Sequence, residues 1–190
     1  MCPRTKIQFE VMREVRRSRI LEAAIECFAN SGYHSVTISE LAVHAGISKG
    51  LLYNYFTSKE ELLKAILQEI LKLMMQLFDP DQTGDLERKD LVHYLETLVT
   101  HLKSNLIQWK MYMAIFSQPA VQLILAEEIK AYSGPPLGMV EAYFRNKGCL
   151  RPDVEMAFLS TLISGVIFEY ISDPENYPLD QIKDRIIQMY

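Results

Sequence analysis

Apolar residues recur at helical spacing along nearly the whole chain, and no stretch of useful length alternates apolar with polar as a half-buried strand would. Leu21, Ala24, Ile25 and Phe28 stand at i, i+3, i+4 and i+7 until Asn30-Ser31-Gly32 stops the run. Ile38, Leu41, Ala42 and Ala45 repeat the pattern over a shorter span. Thr37 with Glu40 reads as a capping box at its start, each residue satisfying the other's backbone N–H. Gly46 ends it, as a left-handed residue past a helix C-terminus does. Ser48 caps the next helix. Ser58 with Glu61 reads as a second capping box, opening a longer helix through Leu62, Ile66, Ile70, Leu73 and Leu77. The fold class expected is all-α.

Residues 79–90 are polar and break the pattern. Leu91, Leu95, Leu98, Leu102, Asn105, Trp109, Tyr112 and Phe116 then read as the stripe of one long helix, interrupted by Pro119. Further helices are expected over 120–132, 137–147, 154–171 and 179–189, separated by Gly134-Pro135-Pro136, Gly148 and Pro174. That makes about nine helices. The charge balance changes near residue 60. Residues 1–60 hold eight Lys/Arg and six Asp/Glu, a net of +2, and the remainder twelve and eighteen, a net of -6. A basic head on an acidic body fits a polyanion-binding end. Cys2, Cys27 and Cys149 are odd in number and far apart, which argues against a disulfide framework or a zinc site and for a reducing compartment. No apolar run reads as a membrane span and the N-terminus is too charged for a secretory signal, so a cytoplasmic location is expected.

Two short helices over 38–45 and 49–55, joined by a glycine turn, make a helix-turn-helix. Its first helix braces across the DNA backbone and its second enters the major groove. The second is so short that Ile47, Leu52 and Phe56 suffice to hold it inward, which leaves Lys49, Tyr53, Asn54 and Tyr55 outward or along the rim. Lys49 offers a cation to phosphate, the tyrosines a hydroxyl, and Gly50 a close backbone approach. Thr37 and Lys59 sit at the N-termini of the flanking helices, two further anion-binding positions.

Residues 20–63 resemble the DNA-binding domain of the TetR family of transcriptional regulators. The resemblance rests on Phe28; Gly32-Tyr33; Thr37; Glu40-Leu41-Ala42; Ala45-Gly46-Ile47-Ser48-Lys49-Gly50; Leu52-Tyr53; Tyr55-Phe56; and Ser58-Lys59-Glu60. It implies a three-helix DNA-binding domain over residues 13–58 and a helical effector-binding and dimerisation domain over 59–190. It also implies phosphate contacts from Thr37, Ser48, Lys49, Tyr53, Tyr55 and Lys59, and groove contacts from Lys49, Gly50, Leu51 and Asn54. Leu51 can touch a thymine methyl but cannot hydrogen-bond, so few groups are left to read bases and DNA shape should carry part of the specificity. The segment before Arg13 stays open between a basic arm for the minor groove and a disordered terminus.

In the body, Asn105 and Gln108 lie on or beside an apolar stripe, with His101 one turn earlier. A buried polar group needs a partner, and an effector can be that partner. The resemblance implies a ligand pocket there; the candidate set is His101, Asn105, Gln108, Trp109, Tyr112, Met113, Phe116, Met139 and Phe144, and the effector expected is small and apolar or amphipathic. The last two helices are apolar on more than one side. Phe158, Leu162, Ile163, Val166, Ile167 and Tyr170, with Ile182 and Ile186, are the candidate homodimer interface, through which two reading helices would face a palindromic operator. The function expected is therefore a DNA-binding regulator, specifically a repressor released by its effector. Two other readings stand beside it. The stretch 79–90 resembles a calcium loop, with Asp79, Asp81, Thr83 and Gly84 at ligand and turn positions but Asp90 where a longer glutamate is usual. Alternatively, the body binds small molecules and the DNA head is vestigial. No catalytic constellation, metal spacing or cofactor motif is visible, so no enzyme activity and no cofactor are expected.

Overall fold

The computed structural model describes residues 6–78 and 86–190. Among them are nine helices and no strand. In order they are α1 (Lys6–Ser31), α2 (Ile38–His44), α3 (Lys49–Tyr53), α4 (Lys59–Phe78), α5 (Arg88–Ser104), α6 (Leu106–Phe116), α7 (Pro119–Asn146), α8 (Pro152–Ser172) and α9 (Leu179–Met189). The chain divides into two compact units. One comprises residues 1–69 with 111–126, and the other 70–110 with 127–190.

In the first unit α2 packs on both α1 and α3. Its fully buried side chains include Ile20, Phe28, Leu41, Leu52, Leu62, Leu63 and Ile66. Burial on this scale, at about 25 cal/mol per Å² of apolar surface, is what holds such short helices in place. Local signals set their ends. Glu40 N–H donates to Thr37 Oγ1 at 3.2 Å and Thr37 N–H donates to Glu40 Oε2 at 2.7 Å, the expected reciprocal box. The second box is shifted by one residue. Glu61 N–H does donate to Ser58 Oγ at 3.0 Å, but the Glu61 carboxylate accepts from the backbone and hydroxyl of Thr57 at 2.6 and 2.7 Å. Hydrogen bonds from Thr37 hold the Glu40 carboxyl below its ordinary range, and those from Thr57 do the same for Glu61.

In the second unit α9 packs on α5 and α8. Leu95, Leu98, Leu102, Leu159, Leu179 and Ile186 are among its buried residues. Arg88 donates to the carbonyl of Ile187 at 3.0 Å and Lys103 pairs with Asp180 at 2.7 Å, fastening both ends of α9 along α5.

One open question is answered and two expectations about the helices are corrected. Helix α1 starts at Lys6, so residues 6–12 continue its turns. The stripe from Leu91 to Phe116 is two helices, broken at Asn105 (φ -130°, ψ 33°), whose N–H and side-chain amide both donate to the His101 carbonyl at 3.0 and 3.1 Å. Conversely, α7 runs unbroken through Gly134-Pro135-Pro136. Proline forfeits an N–H donor but keeps a helical φ, so a helix can run through it at a cost.

Two side chains fix the loop between α1 and α2. Lys59, the first residue of α4, donates from Nζ to the carbonyls of Tyr33 (2.6 Å), Val36 (2.8 Å) and His34 (3.2 Å). Its ammonium also lies 4.6 Å from the centroid of the Tyr33 ring. Burial pushes the Lys59 pKa down from its ordinary value, and the nearby Glu40 charge partly opposes this. Gln118 accepts from Tyr33 N–H through Oε1 at 2.8 Å and donates through Nε2 to the carbonyls of Phe28 (3.2 Å) and Ala114 (3.0 Å). Replacing Lys59 by Met keeps the stem and removes all three donors. We expect a loss of about 2 kcal/mol in urea unfolding; an unchanged midpoint would mean that solvent satisfies those carbonyls equally well.

Candidate nucleic-acid interface

The reading head is built by a turn with no slack. Gly46 has φ 66°, Gly46 N–H donates to the Val43 carbonyl at 3.0 Å, and Ile47 N–H donates to the Ala42 carbonyl at 2.9 Å. These are the paired bonds of a Schellman motif, which needs the left-handed residue that glycine supplies. They aim the chain directly into α3, where Ser48 Oγ accepts from Leu51 N–H at 3.2 Å.

Helix α3 is five residues long and Leu52 is its only buried member. Lys49, Gly50, Tyr53 and Asn54 are exposed, while Leu51 and Tyr55 are half-buried. Tyr53 keeps 45% of its surface open, unusual for an aromatic residue in a small head. Phe56 is buried at 3% and Ile47 is half-buried, so the inward face is the expected one. Thr37 and Ser48 are exposed on the same head. Each hydroxyl accepts from its own helix and retains its O–H to donate to a phosphate oxygen. Lys59 is placed differently from the other cations. Its three N–H donors already meet three loop carbonyls, leaving none for phosphate in this arrangement.

The effector candidates fall in both units. In the second unit, Trp109 Nε1–H donates to His101 Nδ1 at 3.0 Å, and Asn105 donates to the His101 carbonyl. Thus the polar groups singled out for a ligand already bond one another. Burial pushes the His101 pKa down, in keeping with a neutral ring that accepts from Trp109. Gln108 is exposed and Met139 half-buried, and Phe144 packs against Tyr143 and Tyr190. In the first unit, Tyr112 lies beside Phe116 with Met113 half-buried.

Among the dimer candidates, Val166, Tyr170 and Ile186 are buried within their own unit, while Leu162, Ile163, Ile167 and Ile182 are half-buried. Phe158 is 45% exposed. It belongs to an open stripe of Val154, Phe158, Thr161, Gly165, Phe168 and Ser172, spaced by fours and threes along α8. Thr161 and Ser172 turn their hydroxyls back onto the carbonyls of Ala157 and Phe168, both at 2.8 Å, so the stripe is apolar in effect. Contrary to the expectation of no membrane-length apolar run, α8 is by length and composition apolar enough to cross a membrane, with a mean hydropathy of 1.5.

Most of the calcium-loop candidate, including Asp79, Asp81, Thr83 and Gly84, lies outside the described residues. Asp90 is described, and its carboxylate accepts from Glu87 N–H at 2.8 Å at the start of α5. Sequence reasoning missed Gln118. Its one signal was a polar residue directly before Pro119 in an otherwise apolar run.

Residues 20–66 match the family model of bacterial regulatory proteins of the tetR family. The HTH-type transcriptional activator FasR of Mycolicibacterium smegmatis is 48% identical over 56 residues, 30% of this chain and 26% of that protein. The HTH-type transcriptional regulator UidR of Escherichia coli K12 is 28% identical over 164 residues, 84% of this chain and 81% of its own. Among solved structures, the SmeT–triclosan complex superposes with a TM-score of 0.75 at 24% identity, covering 92% of this chain and 89% of that one. The head's matched residues lead to one conclusion: residues 20–66 are a DNA-binding domain of the tetR-family type, on a chain whose helical fold resembles that of solved transcriptional regulators.

Proposed function

We propose that the chain is a homodimeric, cytoplasmic repressor that leaves a palindromic operator when a small apolar or amphipathic effector binds its helical body. The observation carrying the DNA contacts is the exposure of α3, which turns only Leu52 inward. Lys49, Tyr53 and Tyr55, with the hydroxyls of Thr37 and Ser48, take phosphates. Gly50 lets the backbone approach, Leu51 meets a thymine methyl, and Asn54 reads a base edge. With so few reading groups, groove width and deformability supply part of the specificity. Duplex DNA from the gene's own upstream region, titrated at several salt concentrations, tests this. Wild type should bind site-selectively with a steep salt slope, and Lys49→Ala/Tyr53→Ala should lose selectivity and about 0.9 of slope for the missing lysine contact. Equal weak binding of both proteins to any duplex would remove α3 as the reader.

For the effector, His101, Asn105, Gln108, Trp109, Tyr112, Met113, Phe116, Met139 and Phe144 remain the proposed contacts. A shift of population toward a state whose two reading helices no longer match successive major grooves would release DNA. FasR is described as an activator, so the sign is read from transcription with and without effector rather than from operator release. Triclosan, the molecule in the SmeT complex, heads a panel of hydrophobic compounds for thermal-shift and DNA-release assays. A binder at a hundred times its Kd should stabilise the fold by about 2.7 kcal/mol and free the DNA. A panel that moves neither readout would sink the effector.

The stripe from Val154 to Phe168 is the proposed contact with a second copy, because two large rings held open on one helix face need cover. Light scattering at micromolar concentration should give the dimer mass, and Phe158→Glu/Phe168→Glu the monomer mass. A monomeric wild type would refute the dimer.

A further inference from the structure

Helix α1 carries a second stripe that the helix-turn-helix does not account for. Phe9, Met12, Arg13 and Arg16 stand at i, i+3, i+4 and i+7, and the same face continues into Ile20, Ala23 and Ala24, all buried. In its C-terminal half this face is core. In its N-terminal half it bears two arginines and faces a groove of about 400 Å³, whose other wall is Leu51, Asn54 and Tyr55. The groove is therefore continuous with the reading end of the head.

The neighbouring arginine shows what an internally used guanidinium looks like in this chain. Arg17 pairs with Glu69 at 2.8 Å and lies 5.6 Å from the centroid of the Phe56 ring. Among the described residues Arg13 and Arg16 have no such partner. Both are exposed, and among the described residues no ion pair links them to Glu10 or Glu14 on the same turns. Two exposed guanidinium groups with no ion pair among the described residues, lining one groove with Phe9 and Met12, suit an anion arriving from outside. When α3 lies in the major groove, Tyr55 just past its C-terminal end is turned toward the groove's rim, where the sugar-phosphate backbone runs.

We propose that Arg13 and Arg16 of α1 are a second DNA-binding element, which takes phosphates of the backbone flanking the segment read by α3. The contact lengthens the footprint of each head and adds affinity without base information. It makes residues 6–19 part of the binding surface, with α1 supplying rigidity that a disordered arm would lack. It rests on the placement of α3 against DNA, which Lys49→Ala/Tyr53→Ala tests separately.

The test needs no operator. The full chain and its Arg13→Ala/Arg16→Ala variant are titrated with a mixed-sequence 30-base-pair duplex and with an A·T-rich one, between 50 and 200 mM salt. Each phosphate contact contributes a slope of about 0.9 in log K against log salt, so losing two lowers the slope by about 1.8. Over that fourfold salt range, wild-type affinity should fall about twelvefold more than the variant's, equally on both duplexes. Arg13→Lys/Arg16→Lys should restore most of the slope. Circular dichroism should show the alanine variant folded and melting as wild type does. An unchanged slope in a folded variant would overturn the proposal, and so would a loss confined to the A·T-rich duplex, which would place the arginines in the minor groove.

Discussion

A single ammonium group sets the geometry of the DNA-binding head. Lys59 Nζ gathers the carbonyls of Tyr33, His34 and Val36, three acceptors within four consecutive residues, onto the first turn of α4. An ammonium has three donors and no acceptor, so this arrangement saturates it and leaves the loop one way to lie. Tyr33 closes the site from the side, its ring under the ammonium and edge-on to Phe28 at 5.2 Å. Gln118 takes the remaining exposed groups of the same turn, the Tyr33 N–H and the Phe28 carbonyl. The loop that orients α2, and through α2 the reading helix, is thus held by residues 26 and 85 positions from Tyr33 in sequence. Any change in the segment 111–126 reaches the α1–α2 corner through hydrogen bonds, without needing to move the apolar core.

Downstream of that corner the head is rigid for local reasons. The Gly46 motif and the hydroxyl caps of Thr37 and Ser48 satisfy the helix ends, so α2 and α3 have few free backbone groups to trade with water. A five-residue helix with one buried side chain has little packing energy of its own. Its position is imposed by the turn before it and by Phe56 after it. This division suits a reader: the side chains that meet DNA are excused from holding the fold, and the fold is held by residues that never see DNA.

That division also explains what was legible in the sequence. Caps and left-handed glycines act over three or four residues, so Thr37 with Glu40, Gly46 and Ser48 could be placed by spacing alone. The shift of Glu61 from Ser58 to Thr57 could not, because both alternatives have the same local pattern. The break at Asn105 was hidden because the apolar period runs straight through it, while Gly134-Pro135-Pro136 signals a break by local composition although proline's fixed φ is itself compatible with a helix. Lys59 was read as facing phosphate because a cation at a helix N-terminus has no visible local partner. Its partners lie on another loop, and so do those of Gln118. Long-range polar contacts leave no periodic trace, and in this chain they are what position the site.

Helix α8 poses the complementary problem, an excess of apolar signal with no assigned partner. A helix crossing a membrane needs apolar surface around its whole circumference. Here Leu159, Val166, Tyr170 and Ile171 already face the interior of their own unit. What remains open is a broad face that includes Val154, Phe158, Thr161, Gly165 and Phe168 at alternating four- and three-residue spacing, beside the polar Ser160, Ser164 and Glu169. Glycine in mid-helix costs about 1 kcal/mol against alanine, and a Cβ built at Gly165 would meet nothing within 4 Å in the single chain. Nothing inside the chain therefore requires that glycine. Its use would follow from the proposed dimer, where a second backbone comes close to that face.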